Sequence, residues 1–281
     1  MKAALLQICA SDDPAENLAT VQRMVAQAAG QGADMVFTPE VTNCVSASRT
    51  HQNQVLQTEA DDPTLSGLRE AAAQHGVWVN AGSLALKSDP PETRFANRSF
   101  VIDTTGDIRA RYDKMHMFDV QVSEAETYRE SAGYAPGDAA VLAETPFGTL
   151  GLSICYDLRF AYLYRTLAQA GAEILTVPSA FSTATGPMHW EPLLRARAIE
   201  TGCFVIAAAQ MGTHPTSHGK QRKTYGHSMV VAPWGEVLLD AGEEEGVFLV
   251  DLDLPAVAEA RRKVPSLTHD REFSGPRFSP V

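Results

Sequence analysis

Gly151-Leu152-Ser153-Ile154-Cys155-Tyr156-Asp157-Leu158-Arg159-Phe160 is the stretch that decides the fold of this chain. Around its start, Thr149, Leu150, Leu152 and Ile154 form a short apolar run with strand character. Beyond it, Leu158, Tyr162, Leu163, Leu167 and Ala170 recur at three- and four-residue spacing, a helical period that Gly171 closes. Cys155 is therefore predicted at a strand-to-helix junction. A thiol there meets backbone N–H groups and the positive end of a helix dipole, both of which favour the thiolate. Asp157 is placed to cap the helix. A lone cysteine at a strand end is ordinarily a buried structural residue. Here Tyr156, Asp157 and Arg159 crowd the carboxyl end of the strand, where open α/β sheets place their sites.

Working outward from that junction, both flanks read as α/β. Residues 3–8 form a first strand, and Asp13-Pro14-Ala15-Glu16 is a helix start. Leu18, Val21, Met24, Val25 and Ala28 give that helix its apolar stripe. Residues 34–38 form the next strand, so this βαβ unit delivers Glu40 to a strand's carboxyl end. A helix over 64–75 stops at Gly76, a strand covers 77–84, and 97–103 with 108–112 form a hairpin followed by Lys114. Residues 115–137 show no period and read as a long surface loop carrying Glu130. Past the Cys155 region come a strand at 173–177, a helix at 187–201 and a buried strand at 203–209. A polar loop at 210–224 contains Lys220, Arg222 and Lys223. A hairpin at 227–232 and 236–239, a strand at 247–252 and a helix at 255–263 follow. The expectation is two sheets covered by helices in one domain over residues 1–281, with 264–281 as a C-terminal tail.

Composition narrows the function classes. The chain has 281 residues, 44% of them hydrophobic, which is enough for a sizeable core. Its net charge of −11 argues against a nucleic-acid surface. The absence of a long apolar run argues against a membrane partner. The four cysteines, Cys9, Cys44, Cys155 and Cys203, form no C-x-x-C pair, which argues against a zinc or dithiol motif. Four scattered thiols and no signal-peptide pattern suit a cytoplasmic protein. Cys9, Cys44 and Cys203 read as core thiols.

A thiol nucleophile needs a base, oxyanion donors and water. His189 and His227 are candidate bases, but neither sits at a strand end as Glu40 does. A carboxylate beside a thiol in a desolvated pocket is expected to have a raised pKa, suiting it to proton transfer. Lys114 and the N–H of Tyr156 are placed to hold an oxyanion. Arg159 has two readings, a structural partner of Asp157 or Glu173, or a bidentate ligand for a substrate carboxylate. Lys220, Arg222 and Lys223 read first as a solvated loop, with steering of an anionic substrate as the alternative.

These residues together resemble the nitrilase, or carbon–nitrogen hydrolase, superfamily. Its Glu-Lys-Cys triad is matched by Glu40 in Phe37-Thr38-Pro39-Glu40, by Lys114 in Tyr112-Asp113-Lys114-Met115-His116, and by Cys155 in its junction. The second active-site glutamate falls on Glu130, ahead of Pro136-Gly137. The segments Pro178-Ser179-Ala180-Phe181, Met188-His189-Trp190-Glu191, Ala207-Ala208-Ala209-Gln210 and Tyr225-Gly226-His227-Ser228-Met229 resemble the Nit branch of small amidases. That branch includes amidases of deaminated glutathione and ω-amidases of α-ketoglutaramate. The resemblance implies a four-layer α-β-β-α sandwich that dimerises, a small amide as substrate, and hydrolysis through a Cys155 thioester with no metal or other cofactor. It implies Glu40, Lys114, Cys155 and Glu130 as catalytic residues, with Tyr156, Arg159, Phe181 and His189 as candidates for touching substrate. Residues 213–223 match no family segment and border the expected substrate mouth. Two other classes stand beside the amidase: a Cys–His hydrolase using His189 or His227, and a non-catalytic scaffold.

Overall fold

Asp13 starts the first helix as its sequence predicts: its carboxylate accepts from the Ala15 N–H at 2.8 Å and Pro14 fills the first turn. Val21, Met24, Val25 and Ala28 are the buried face of that helix. The computed structural model of the chain describes residues 1–122, 126–276 and 278. In chain order these form β1 (Lys2–Gln7), α1 (Pro14–Gly30), β2 (Met35–Phe37), α2 (Arg49–Val55), α3 (Pro63–His75), β3 (Trp78–Lys87), β4 (Phe95–Ile102) and β5 (Ile108–Asp113). Next come β6 (Asp119–Gln121), β7 (Thr127–Arg129), β8 (Leu142–Thr145), β9 (Gly148–Leu152), α4 (Ala161–Gln169), β10 (Ile174–Thr176), α5 (Gly186–Thr201) and β11 (Phe204–Ala207). The chain continues with β12 (Met211–Thr213), β13 (Lys223–Tyr225), β14 (Met229–Val231), β15 (Val237–Asp240), β16 (Gly246–Asp251) and α6 (Pro255–Lys263).

Two six-stranded sheets result, ordered β16-β1-β2-β3-β4-β5 and β15-β14-β11-β10-β9-β8. Each has a parallel centre, with Leu5 beside Phe37 and Phe37 beside Asn80 in one, and Leu152 beside Thr176 and Thr176 beside Ile206 in the other. Strand alternation separates the faces of the first sheet. Ala3, Leu5, Met35, Phe37 and Val101 join the second sheet's core, whereas Ala4, Leu6, Val36, Phe100 and Ile102 pack with α1 and α3. Leu163, Tyr164, Trp190 and Leu194 bring α4 and α5 onto the second sheet. The architecture is the α-β-β-α sandwich that the sequence resemblance implies.

Several local expectations need correction. The helix after Cys155 does not begin at the junction. A 3₁₀ turn, Cys155–Arg159, intervenes before α4. Asp157 does not cap α4, because its carboxylate is spent on Tyr112, His116 and Ile154. The stretch 115–137 is not a featureless loop: β6 and β7 pair there and a 3₁₀ turn, Glu130–Ala132, follows. The polar stretch 210–224 likewise contains β12 and the start of β13. The tail packs on α4 as far as Asp270, through Arg165 to the Ser266 carbonyl at 2.8 Å and Gln169 to the Leu267 carbonyl at 2.9 Å.

Candidate active site

Parallel strands point their carboxyl ends one way, and three of them converge here. Glu40 follows β2, Cys155 follows β9, and Ala180 follows β10. Glycine permits the approach at Glu40: a Cβ on Gly82 would lie 1.8 Å from the Thr38 carbonyl oxygen. Two non-glycine residues adopt the left-handed region beside the site, Val41 at φ 47° and Cys155 at φ 48°. Such backbone costs about 1–2 kcal/mol per residue and concentrates at functional sites.

The side chains meet in a buried network. Lys114, 2% exposed, donates to Glu40 Oε1 at 2.8 Å and to both oxygens of Glu130 at 2.9 Å. Glu40 also accepts from Asn97 Nδ2 at 3.0 Å and from the Ala180 N–H at 2.8 Å. Glu130 accepts a further hydrogen bond from the Phe118 N–H at 2.6 Å. The Cys155 thiol lines the same cavity as Glu40 and Lys114. The Cys155 N–H donates to the Pro178 carbonyl at 2.9 Å, which pins the turn, whereas the Tyr156 N–H has no protein partner among the described residues. These groups open into a cavity of about 250 Å³, walled by Tyr156, Phe181, Arg49, Arg129 and Arg222.

Comparison with known proteins places the chain in a family. The carbon–nitrogen hydrolase family matches residues 2–262. The chain belongs to the carbon–nitrogen hydrolase family. It is 38% identical to a deaminated glutathione amidase of Yersinia enterocolitica over 98% of this chain and 96% of that protein. Its structure is similar to Nit3 of Saccharomyces cerevisiae, a member of branch 10 of the nitrilase superfamily, with TM-score 0.84 and 28% identity over 97% of each chain. It is also similar to a Nesterenkonia amidase, with TM-score 0.76 and 28% identity over 94% of this chain and 98% of that one. The latter is a glutamate-to-glutamine mutant bearing a Michael adduct of acrylamide on its active-site cysteine.

The electrostatics of this hydrolase reverse two sequence expectations. Burial acts to raise Glu40, but Lys114, then Arg222, then the Lys114 hydrogen bond outweigh it and hold the carboxyl below the ordinary range. Lys114 is pushed well above the usual lysine range: burial opposes its charge, yet Glu130 and Glu40 overcome burial. Burial pushes the Cys155 thiol far up, Glu40 adds to that, and Lys114 only partly compensates. The residues after the sulfur form a 3₁₀ turn, and α4 begins only at Ala161. The resting pair is therefore a protonated thiol against an ionised carboxylate.

The other sequence candidates divide. Tyr156 and Phe181 line the cavity, whereas Arg159 and His189 do not. Arg159 pairs with neither Asp157 nor Glu173. It donates to Nδ1 of the exposed His189 at 3.2 Å, with its guanidinium 5.7 Å from the Phe181 ring centre. His227 pairs with Asp240 at 2.9 Å and lies outside the cavity. Cys9 is only half-buried, its thiol donating to the Thr213 carbonyl at 3.5 Å, so it is not a core thiol.

Two contributors, Asn97 and Arg49, escape the sequence reading, and a third, Arg222, has only a loop role in it. Asn97 bridges Glu40 and, at 3.5 Å, Glu130. Asn is depleted in strands, and its place among the buried residues of β4 is the signal that marks it. Arg222 is not simply solvated: it donates to the Ala180 carbonyl at 2.9 Å and faces Glu40. Arg49 stacks 5.2 Å from the Tyr134 ring centre, in a short helix that no pattern announced.

Proposed function

We propose that this carbon–nitrogen hydrolase cleaves the amide bond of deaminated glutathione through a Cys155 thioester. The observation that carries the reading is the buried Glu40–Lys114–Glu130 network against Cys155, opening into a cavity walled by Arg49, Arg129 and Arg222. Three guanidinium groups suit a substrate with carboxylates, and curated relatives at 38% identity bear the name deaminated glutathione amidase. The cavity volume of about 250 Å³ favours a second reading, a smaller carboxylated amide such as α-ketoglutaramate.

In the proposed sequence the Cys155 sulfur bonds to the amide carbon while its proton passes to Glu40. Lys114 Nζ and the Tyr156 N–H stabilise the oxyanion. Collapse breaks the C–N bond, and the amine leaves with the proton from Glu40. Water then attacks the thioester with Glu40 as base, releasing the acid and restoring the thiol. Glu130 keeps Lys114 charged and aimed. Residues 1–281 act as one hydrolase domain with a tail from 264. No helix among the described residues is long and apolar enough to cross a membrane. The four free thiols support a cytoplasmic location. Exposed Tyr162, Met188, Ile199 and Trp234 on and beside α4 and α5 support a homodimer.

The test is release of amine, ammonia and acid from deaminated glutathione, α-ketoglutaramate, aliphatic amides, nitriles and N-carbamoyl amino acids. Intact mass after acid quench is recorded in parallel. Selective turnover of deaminated glutathione, with a thioester mass on the wild type and none on Cys155→Ala, is the expected result. Turnover of α-ketoglutaramate alone would favour the second reading. Silence across the panel from the folded protein would refute both and favour a scaffold.

A further inference from the structure

Away from Cys155, a second group of chemically competent side chains lies behind the cavity mouth. Asp12 follows β1, His51 belongs to α2, and His218 lies between β12 and β13. A ligand atom of each lies within 4.8 Å of the others. We propose that Asp12, His51 and His218 form a binding site for a divalent transition-metal ion of the zinc class, which clamps the loop carrying Arg222 onto α2.

Each ligand is already oriented by its neighbours. Asp12, 4% exposed, receives at Oδ2 the Ser217 N–H at 2.8 Å, the Ser217 hydroxyl at 2.9 Å and the Thr216 hydroxyl at 3.0 Å. Burial opposes its charge, but these donors prevail and keep the carboxylate ionised. All of them meet Oδ2, which also lies 3.6 Å from His51 Nε2, so a metal would take Oδ1 after the carboxylate turns toward the rings. His51 Nε2 lies 2.8 Å from the Asp12 carbonyl, to which it donates, so Nδ1 retains its lone pair. His218 Nδ1 lies 2.8 Å from the Ser217 hydroxyl, which engages that nitrogen and leaves Nε2. Partners that fix the second ring nitrogen are typical of metal-ligating histidines.

The two imidazoles stack with centroids 4.8 Å apart and planes 17° apart. Zinc–ligand bonds of about 2.0–2.2 Å put neighbouring tetrahedral donors about 3.3 Å apart, and imidazole lone pairs lie in the ring plane, so binding an ion requires His218 to rotate out of the stack and its donor to move closer. His218 is exposed and can make that movement. Two imidazoles and a carboxylate suit zinc, cobalt or nickel rather than magnesium or calcium, and leave a fourth position for water. Cysteine spacing argued against zinc in the sequence, but this donor set contains no cysteine and comes from three separate segments. Arg49 precedes His51 by two positions and Arg222 follows His218 by four, and both arginines wall the cavity. An ion here would join two sides of the substrate mouth.

Cobalt chloride is the probe, because Co²⁺ reports its ligands optically. It is titrated into the full chain carrying Cys155→Ala, which removes the cavity thiol. The expected result is saturable one-to-one binding with visible d–d bands, no sulfur-to-cobalt charge transfer, and displacement by zinc chloride. His218→Ala and His51→Gln should each weaken binding about tenfold or more, with circular dichroism and melting temperature retained in the His218 variant. No saturable binding would overturn the proposal. So would unchanged affinity in both folded variants, or a charge-transfer band placing the metal on Cys9.

Discussion

Replacing Glu40 by Gln should make the Cys155 thiol more acidic and the enzyme slower. The thiol shares the pocket with the ionised Glu40 carboxylate and the Lys114 ammonium. Deleting the negative charge removes a repulsion of at most about 4 kcal/mol, the figure for unit charges about 4 Å apart at an effective dielectric of about 20. That corresponds to a fall of at most about 3 pKa units in the thiol. Lys114 remains to stabilise the thiolate. Turnover should nevertheless drop about 10²- to 10⁴-fold, because the proton acceptor and water-activating base is gone. The assay is ultraviolet absorbance of the thiolate against pH, with Cys155→Ala as blank, beside steady-state rates. The two readouts must move in opposite senses. A thiol that titrates as in the wild type, or a variant that keeps near-normal turnover, would refute the reasoning. The same intact rate would favour a Cys–His mechanism, although His189 and His227 lie outside the cavity.

Asp157→Asn should cost about 3 kcal/mol, read as a lower urea midpoint, because four donor contacts from Tyr112, Ile154 and His116 meet that buried carboxylate; a loss below about 1 kcal/mol would contradict this. Arg222→Gln should raise KM for carboxylated amides about tenfold or more while sparing neutral amides, since a charge-assisted hydrogen bond contributes about 1.5–3 kcal/mol. Because Arg222 also holds Glu40 down, the acidic limb of the rate profile should move to higher pH in that variant. His214 is buried, and burial holds its pKa down to about 4. The unfolded chain binds that proton below about pH 6.5 while the folded chain does not, so stability should fall as pH drops from about 6.5 to about 4, by about 3 kcal/mol at most. His214→Gln should flatten that part of the denaturation profile measured by calorimetry.

Much of the site was legible because catalytic chemistry is tied to strand ends. Glu40 and Cys155 each follow a strand whose apolar run is visible in the sequence, Lys114 follows a hairpin strand in which Ile108, Ala110 and Tyr112 alternate with charged residues, and Glu130 lies in the resemblance to the family. The helices were equally readable where Asp13, Pro14 and Gly76 supply caps with a local mechanism. Boundaries failed where tertiary partners decide. The turn after Cys155 tightens into a 3₁₀ turn because Asp157 is claimed by Tyr112 and His116, which are remote in sequence. Likewise β6, β7, β12 and β13 are three residues each, too short for a period to appear.

By itself, then, the sequence determined the two-sheet α/β plan and pointed to the residues of the buried cluster around Cys155, because period, capping and motif are properties of neighbouring residues. Only the tertiary structure decided the protonation of that network, the parts played by Asn97 and Arg222, and the meeting of Asp12, His51 and His218. Each of these depends on groups far apart along the chain being brought within a few ångströms in a dry interior, where charge interactions are strong enough to override the preferences a residue shows on its own.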